Sequence, residues 1–146
     1  MQAKIHTGGA IGADEEFARM GTLHGFEVFQ HSFQGHSIAY PCSPIIHSDE
    51  ELQVSSNDLM VASQYLRKCY PPNNAFVRRL LQRNWFQVHF SDAVEAIAPI
   101  EDNRAQVRGG TGWAVALAIS QELPIHVFDG RWYFYHHREL PTPLKG

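Results

Sequence analysis

Apolar and polar positions along the chain switch between two periods. Ala3–Thr7 is a short strand-like run that leads into Gly8-Gly9. From Asp14 to His24, Phe17, Met20 and Leu23 recur at spacings of three, which predicts a helix that Gly25 ends. Phe26–Phe29 predicts a second short strand, so the opening segment reads as one βαβ unit with parallel pairing. Gln30–His47 reads as a long irregular segment containing Gly35, Pro41 and Pro44; loops of that length are usually functional or mobile. Ser48 with Glu51 three residues on is a capping-box pattern. It opens a helix expected to reach about Lys68, with Leu52, Leu59, Ala62 and Leu66 on one face. Pro71-Pro72 breaks that helix. Asn73 or Asn74 caps the next, which turns Phe76, Leu80 and Leu81 inward and Arg78, Arg79 and Arg83 elsewhere.

The second half carries the same alternation of elements. Ala93–Ala98 is a third strand, apolar except for Glu95, and Pro99–Gln106 is polar and loop-like. Gly109-Gly110-Thr111-Gly112 is a second glycine turn, followed by Trp113–Ser120, apolar nearly all round and so a buried helix. Ile125–Phe128 is a fourth strand. Asp129-Gly130 signals a two-residue hairpin, and Trp132–Tyr135 returns antiparallel at an edge. The pattern predicts a single α/β domain over residues 1–140, a Rossmann-like three-layer fold. Its sheet should be mostly parallel, of about five strands, with an antiparallel C-terminal edge hairpin, and 141–146 should form a loose tail.

Composition narrows the setting. The formal net charge is −3, which argues against a broad nucleic-acid surface. No apolar run approaches the roughly 18–20 residues of a membrane span, and the N-terminus lacks a signal-peptide core. Cys42 and Cys69 form no CxxC, which excludes a disulfide scaffold and makes a cytoplasmic location the default.

The candidate chemistry sits in the two glycine turns. A glycine turn between strand and helix lets backbone N–H groups approach an anion, and the helix N-terminus adds about half a positive charge. In a doubly wound sheet both turns lie at the carboxyl edge of the strands. The first, Thr7-Gly8-Gly9-Ala10-Ile11-Gly12, is followed by Asp14, Glu15 and Glu16, which repel a phosphate. The second has no acid in its first turn and has Arg108 just before it. A ligand phosphate is therefore expected on Gly109, Gly110, Thr111 and Gly112. Sugar or base is expected at the first turn, with Asp14 as a hydroxyl partner. Neither turn is a P-loop or a GxGxxG fingerprint, and the second strand ends in Phe29-Gln30-His31 without the acid that would hold an NAD ribose.

Thr7-Gly8-Gly9-Ala10-Ile11-Gly12-Ala13-Asp14 resembles the "GGARGAD" turn of the SLOG superfamily, which gathers DprA, YspA/YpsA-like and LOG proteins. Arg83-Asn84 resembles the "RN" of YspA-like members. Ser91–Ala98 resembles their "aD-x-viAf" strand, and Gly109–Gly112 followed by Ala118 resembles their glycine-plus-helix segment. The order of these short motifs is more specific than any one of them; Gln30–Pro72 carries none. The resemblance implies a Rossmann-like domain that binds nucleotides or nucleotide-derived ligands, often as a homodimer. Some members hydrolyse the N-glycosidic bond of a nucleoside monophosphate. The chain departs from the pattern in starting at the GGA-type strand, where YspA-like proteins have a strand before it. Ile11 stands where the family often has Arg, and Trp113 and Ala116 where LOG enzymes have the Thr and Glu of PGGxGTxxE. The carboxylate that would stabilise an oxocarbenium ion is thus absent at that position.

The expected function is binding of a nucleotide or nucleotide-derived ligand between the turns, with Arg83 and Asn84 assisting. The alternative is a nucleoside-monophosphate N-glycosidase in which Asp14 or Glu95 replaces the missing glutamate. No cofactor is expected. No HExxH or Cys–His cluster suggests a metal site. His31 and His36 flank Phe33-Gln34-Gly35 and read either as ligand contacts near the cleft or as solvated loop residues. A homodimer is expected, with apolar faces at Leu52–Leu66, Phe76–Leu81 and Trp113–Ser120 as candidate interfaces.

Overall fold

Two short parallel ladders, each started by the βαβ logic of the sequence, organise the computed structural model, which describes residues 3–42, 44–101, 106–136 and 141–144. Strand β1 (Lys4–Thr7), helix α1 (Ala13–Leu23) and strand β2 (Glu27–Phe33) form the expected unit, with β1 and β2 parallel. β2 continues through Phe33, and β3 (Pro44–His47) pairs with it in parallel, Gln30 opposite Pro44 and Phe33 opposite His47. The expected irregular segment Gln30–His47 thus contains most of one strand and the whole of another. The period of two was masked because Gln30, His31 and Ser32 are polar yet buried.

Ser48 caps α2 (Asp49–Gln53) through the reciprocal capping box with Glu51. The single helix expected to run on to Lys68 is interrupted at Val54-Ser55, and α3 (Ser56–Leu66) begins beyond it. Ser55 is fully buried and its hydroxyl donates to the Leu52 carbonyl at 2.6 Å. A short polar side chain bonded to its own backbone offers an alternative to helix continuation. Asn74 caps α4 (Ala75–His89), accepting the Val77 N–H at 3.0 Å. Leu81 points inward as expected and Leu80 is half-buried, whereas Phe76 is exposed.

β4 (Val94–Ile97) leads to β5 (Ile100–Glu101), which pairs antiparallel with β6 (Gln106–Val107), so the expected Pro99–Gln106 loop is flanked by a small ribbon. Residues 102–105 lie outside the described residues. Helix α5 (Gly110–Ser120) starts inside the second glycine turn. β7 (Ile125–Phe128) is parallel to β4, and β8 (Trp132–Phe134) returns antiparallel after Asp129, Gly130 and Arg131, one loop residue more than expected. β9 (Thr142–Pro143) pairs with β8, so the ladder includes part of the stretch expected to be a loose tail.

The strands form two larger sheets and the small β5–β6 ribbon instead of the expected single sheet. β1–β2–β3 is wholly parallel, β4–β7–β8–β9 is mixed, and among the described residues no ladder joins β1 to β4. Ile5 and Val28 meet α1 at Gly21, while His31 faces Phe86 of α4 and His6 faces Phe90 just beyond its end, so helices lie on both faces of the first sheet. α5 packs on the second sheet and against α3 and α4. Leu59, Ala62, Val88, Val115, Leu117 and Val127 form the centre of the apolar core. Of the apolar faces named as candidates for a dimer interface, those of α3 and α5 are largely buried within the chain, whereas Phe76 and Val77 of α4 are exposed. No helix among the described residues is long and apolar enough to cross a membrane.

Candidate functional site

The first glycine turn is closed by its own residues. Thr7, buried at the end of β1, accepts the Gly9 N–H on its hydroxyl at 3.1 Å, which removes one donor from any ligand. Gly9 and Gly12 have φ of +72° and +104°, values that L side chains rarely adopt. The Ala10 and Gly12 carbonyls accept N–H groups of Glu15 and Glu16, starting α1 with Asp14, Glu15 and Glu16 in its first turn. Ile11, at the apex, is 88% exposed. The segment after β2 folds over this turn: the Ala39 N–H donates to the Gly9 carbonyl at 3.0 Å, and the Gln30 amide donates to the Tyr40 carbonyl at 3.3 Å.

Arg83 reaches the same turn from α4. Its Nη1 donates to the Gly8 carbonyl, and a side chain on Gly8 would collide with the guanidinium. Arg83 is only 6% exposed, and its Nε has no hydrogen-bond partner among the described residues. Burial pushes its pKa down and the Asp14 carboxylate opposes that shift. An arginine so placed stays charged at neutral pH, and a buried cation with an idle donor is a standing demand for an anion.

The next residue on α4 serves the other turn. Asn84 Nδ2 donates to the Gly110 carbonyl at 3.3 Å, and Gln87 Nε2 donates to Asn84 Oδ1 at 3.3 Å. Gly109 precedes α5 with φ +76°, followed by Gly110, Thr111 and Gly112 in a first helical turn without an acid. Gly112 is buried, and a side chain there would collide with the Val107 carbonyl. Gly109 and Gly110 are exposed. The N-terminus of α5 therefore offers backbone donors and positive dipole, whereas α1 offers carboxylates.

The structure thus brings Thr7, Gly8, Gly9, Ala10, Gly12, Asp14, Arg83, Asn84, Gly109, Gly110, Thr111 and Gly112 onto the two turns and the helix that spans them. Arg83 was expected to assist at the second turn and lies instead at the first. Two other expected residues are engaged elsewhere. Arg108 is ion-paired with Glu101 at 2.9 Å on an exposed rim. Glu95 is hydrogen-bonded to His126 at 2.8 Å across the β4–β7 ladder. It is exposed, on the face opposite buried Ala96, and nothing joins it to Asp14.

His36 and Gln30 extend the site. The His36 ring is hydrogen-bonded to the Ser32 hydroxyl at 3.0 Å. Burial and Arg83 lower its pKa and Asp14 raises it, so the ring lies within electrostatic reach of both charges. Gln30 is fully buried with its Oε1 unpartnered beneath Gly9. Its signal in the sequence was a polar residue inside a run ending in Phe33, which reads as loop until the strand is seen. His31 is not a loop residue; it is buried in β2. Trp113 packs in the core beside Tyr70. Among the described residues no group of three or more His, Cys, Asp or Glu could hold a metal. No family model matches the chain, and no curated protein or solved structure matches it.

Proposed function

We propose that this chain binds a nucleotide or nucleotide-derived ligand between its two glycine turns, in a Rossmann-like domain of the SLOG kind. One observation carries the reading: consecutive residues of α4, Arg83 and Asn84, reach one turn each. A single helix therefore holds both strand-to-helix turns, with a buried guanidinium at the first. The ligand's phosphate belongs at the α5 N-terminus, which has no acid in its first turn. The sugar or base belongs at the first turn, where Asp14 accepts a hydroxyl and the Gly9 N–H is already used.

Calorimetry with a panel of nucleoside monophosphates and the matching nucleosides tests this. Monophosphates are expected to bind at least tenfold more tightly than nucleosides. Arg83→Met should weaken them roughly tenfold to a hundredfold, the worth of a hydrogen bond to a charged group. The proposal fails if no monophosphate binds or raises the melting temperature, or if nucleosides bind as well.

A second reading, release of free base, rests on Asp14, the carboxylate that acts on both Arg83 and His36. A carboxylate at a ribose stabilises an oxocarbenium-like transition state. Free base in the incubation, lost in Asp14→Asn, would make the chain a glycosidase; intact nucleotide would make it a binder.

A further inference from the structure

The face of β1–β2–β3 that α4 covers carries three histidines joined in series. His6 Nδ1 lies 2.9 Å from His31 Nε2, and His31 Nδ1 lies 2.9 Å from His47 Nε2. The rings are within 16° of parallel in each pair, with centroids 5.2 Å apart. Phe86 of α4 stacks on His47 at 3.8 Å and also faces His31, and Phe90 faces His6. His31 and His47 are 3% and 7% exposed. Register explains the series: His6 is opposite Phe29 and His47 opposite Phe33, so His31 lies diagonally between them.

We infer that these imidazoles act as one proton-holding unit, an acid-sensitive clasp across the three strands that accepts a single extra proton intact and breaks on the next. The reason is a count of hydrogens. A neutral ring has one N–H, and each N···N contact needs one hydrogen between its two nitrogens. Three neutral rings fill both contacts and leave one hydrogen for an end of the chain. A fourth hydrogen fills the other end and leaves both contacts whole. A fifth must enter a contact that already holds one, setting N–H against N–H at hydrogen-bond distance.

The surroundings fix the direction of the chain. His47 Nδ1 is buried with no hydrogen-bond partner among the described residues, and the Glu51 carboxylate, Oε2 at 3.8 Å, draws the end hydrogen of the neutral unit to that nitrogen. All three rings are then Nδ1–H tautomers, and the open position is His6 Nε2. Lys4 opposes a charge on His6 and Glu27 favours it; Arg83 opposes one on His31; Glu51 favours one on His47. Burial is the largest influence on each ring. It lowers all three pKa values, and that of His31 is pushed down to about 3.

The folded chain therefore binds fewer protons than the unfolded chain below the ordinary histidine value of 6.5. Stability is full above that pH and declines as pH falls toward the lowered values. His6 directly precedes Thr7, so the strand that loosens is the one holding the first glycine turn. This holds whatever that turn binds.

Long-range proton–nitrogen NMR on the full chain labelled at histidine tests the clasp. At pH 7, His6, His31 and His47 should share the Nδ1–H tautomer and show two slowly exchanging N–H···N hydrogens. Mixed tautomers, or any of the three rings titrating alone near its ordinary value, overturn the inference. Urea unfolding between pH 7.5 and 4.5 gives the second readout. Each proton taken up on unfolding multiplies the unfolding constant about tenfold per pH unit. His31→Leu should reduce that slope by close to one proton at the acid end of the range and by little at pH 7.5. Equal slopes in wild type and His31→Leu also overturn it. If His31→Leu does not fold, the wild-type NMR titration decides.

Discussion

The sheet β1–β2–β3 has helices on both faces, yet it buries Thr7, Gln30, His31, Ser32 and His47. The sheet β4–β7–β8–β9 has α5 on one face, and what it buries there is Ala96, Ile125 and Val127. Its other face leaves Ile97, Phe128, Trp132 and Phe134 each more than a third exposed. The difference separates two tasks. Apolar burial is non-directional and supplies stability wherever area is removed from water. Buried polar groups must each find a partner, so they fix positions, and they hold those positions only while every partner is present. The polar sheet carries the first turn and the clasp; the apolar sheet and α5 carry the scaffold and an open helix N-terminus.

Three substitutions test that division, in descending effect. Leu117→Ala, at a fully buried position of α5, should cost about 2–5 kcal/mol in urea unfolding. A loss under 1 kcal/mol would mean that the apolar half is not the scaffold. Gln30→Leu, in the polar half, should cost about 1 kcal/mol, the worth of its one hydrogen bond, because its other amide atom has no partner to lose. It should also speed amide exchange at Ala39, whose N–H is bonded to Gly9. Unchanged exchange there would uncouple Gln30 from the cover of the turn. Phe128→Ser, on the open face, should cost about 0.5–1 kcal/mol, the worth of its edge-to-face ring pair with Trp132. A larger loss would show that this face is packed against something in solution.

What was legible in the sequence was local. The Ser48–Glu51 box, the Asn74 cap, the opening βαβ unit and the Asp129-Gly130 reversal each depend on residues a few positions apart. What was not legible depends on distant partners. Gln30–Phe33 lacks an apolar face because its polar side chains are satisfied by the loop after β2 and by β1 and β3. The break at Ser55 follows from burial of a hydroxyl that an amphipathic pattern does not register. Arg83 and Asn84 were visible as neighbours near the site. Helix α4 turns successive residues about 100° apart, so adjacent side chains diverge, and which turn each would reach depended on where α4 lies. The divided sheet is of the same kind: nothing in Ala3–Thr7 or Ala93–Ala98 states that their edges stay unpaired.

That missing ladder has a mechanical meaning. Strands joined by hydrogen bonds slip only in whole steps of register, each of which breaks bonds. Helices packed through side chains slide by small rotamer adjustments. The two sheets here are fastened by α4 against α5, not by backbone pairing between β1 and β4. A shift of α4 against α5 would therefore move the two glycine turns relative to one another, because Arg83 and Asn84, which hold one turn each, stand on that helix.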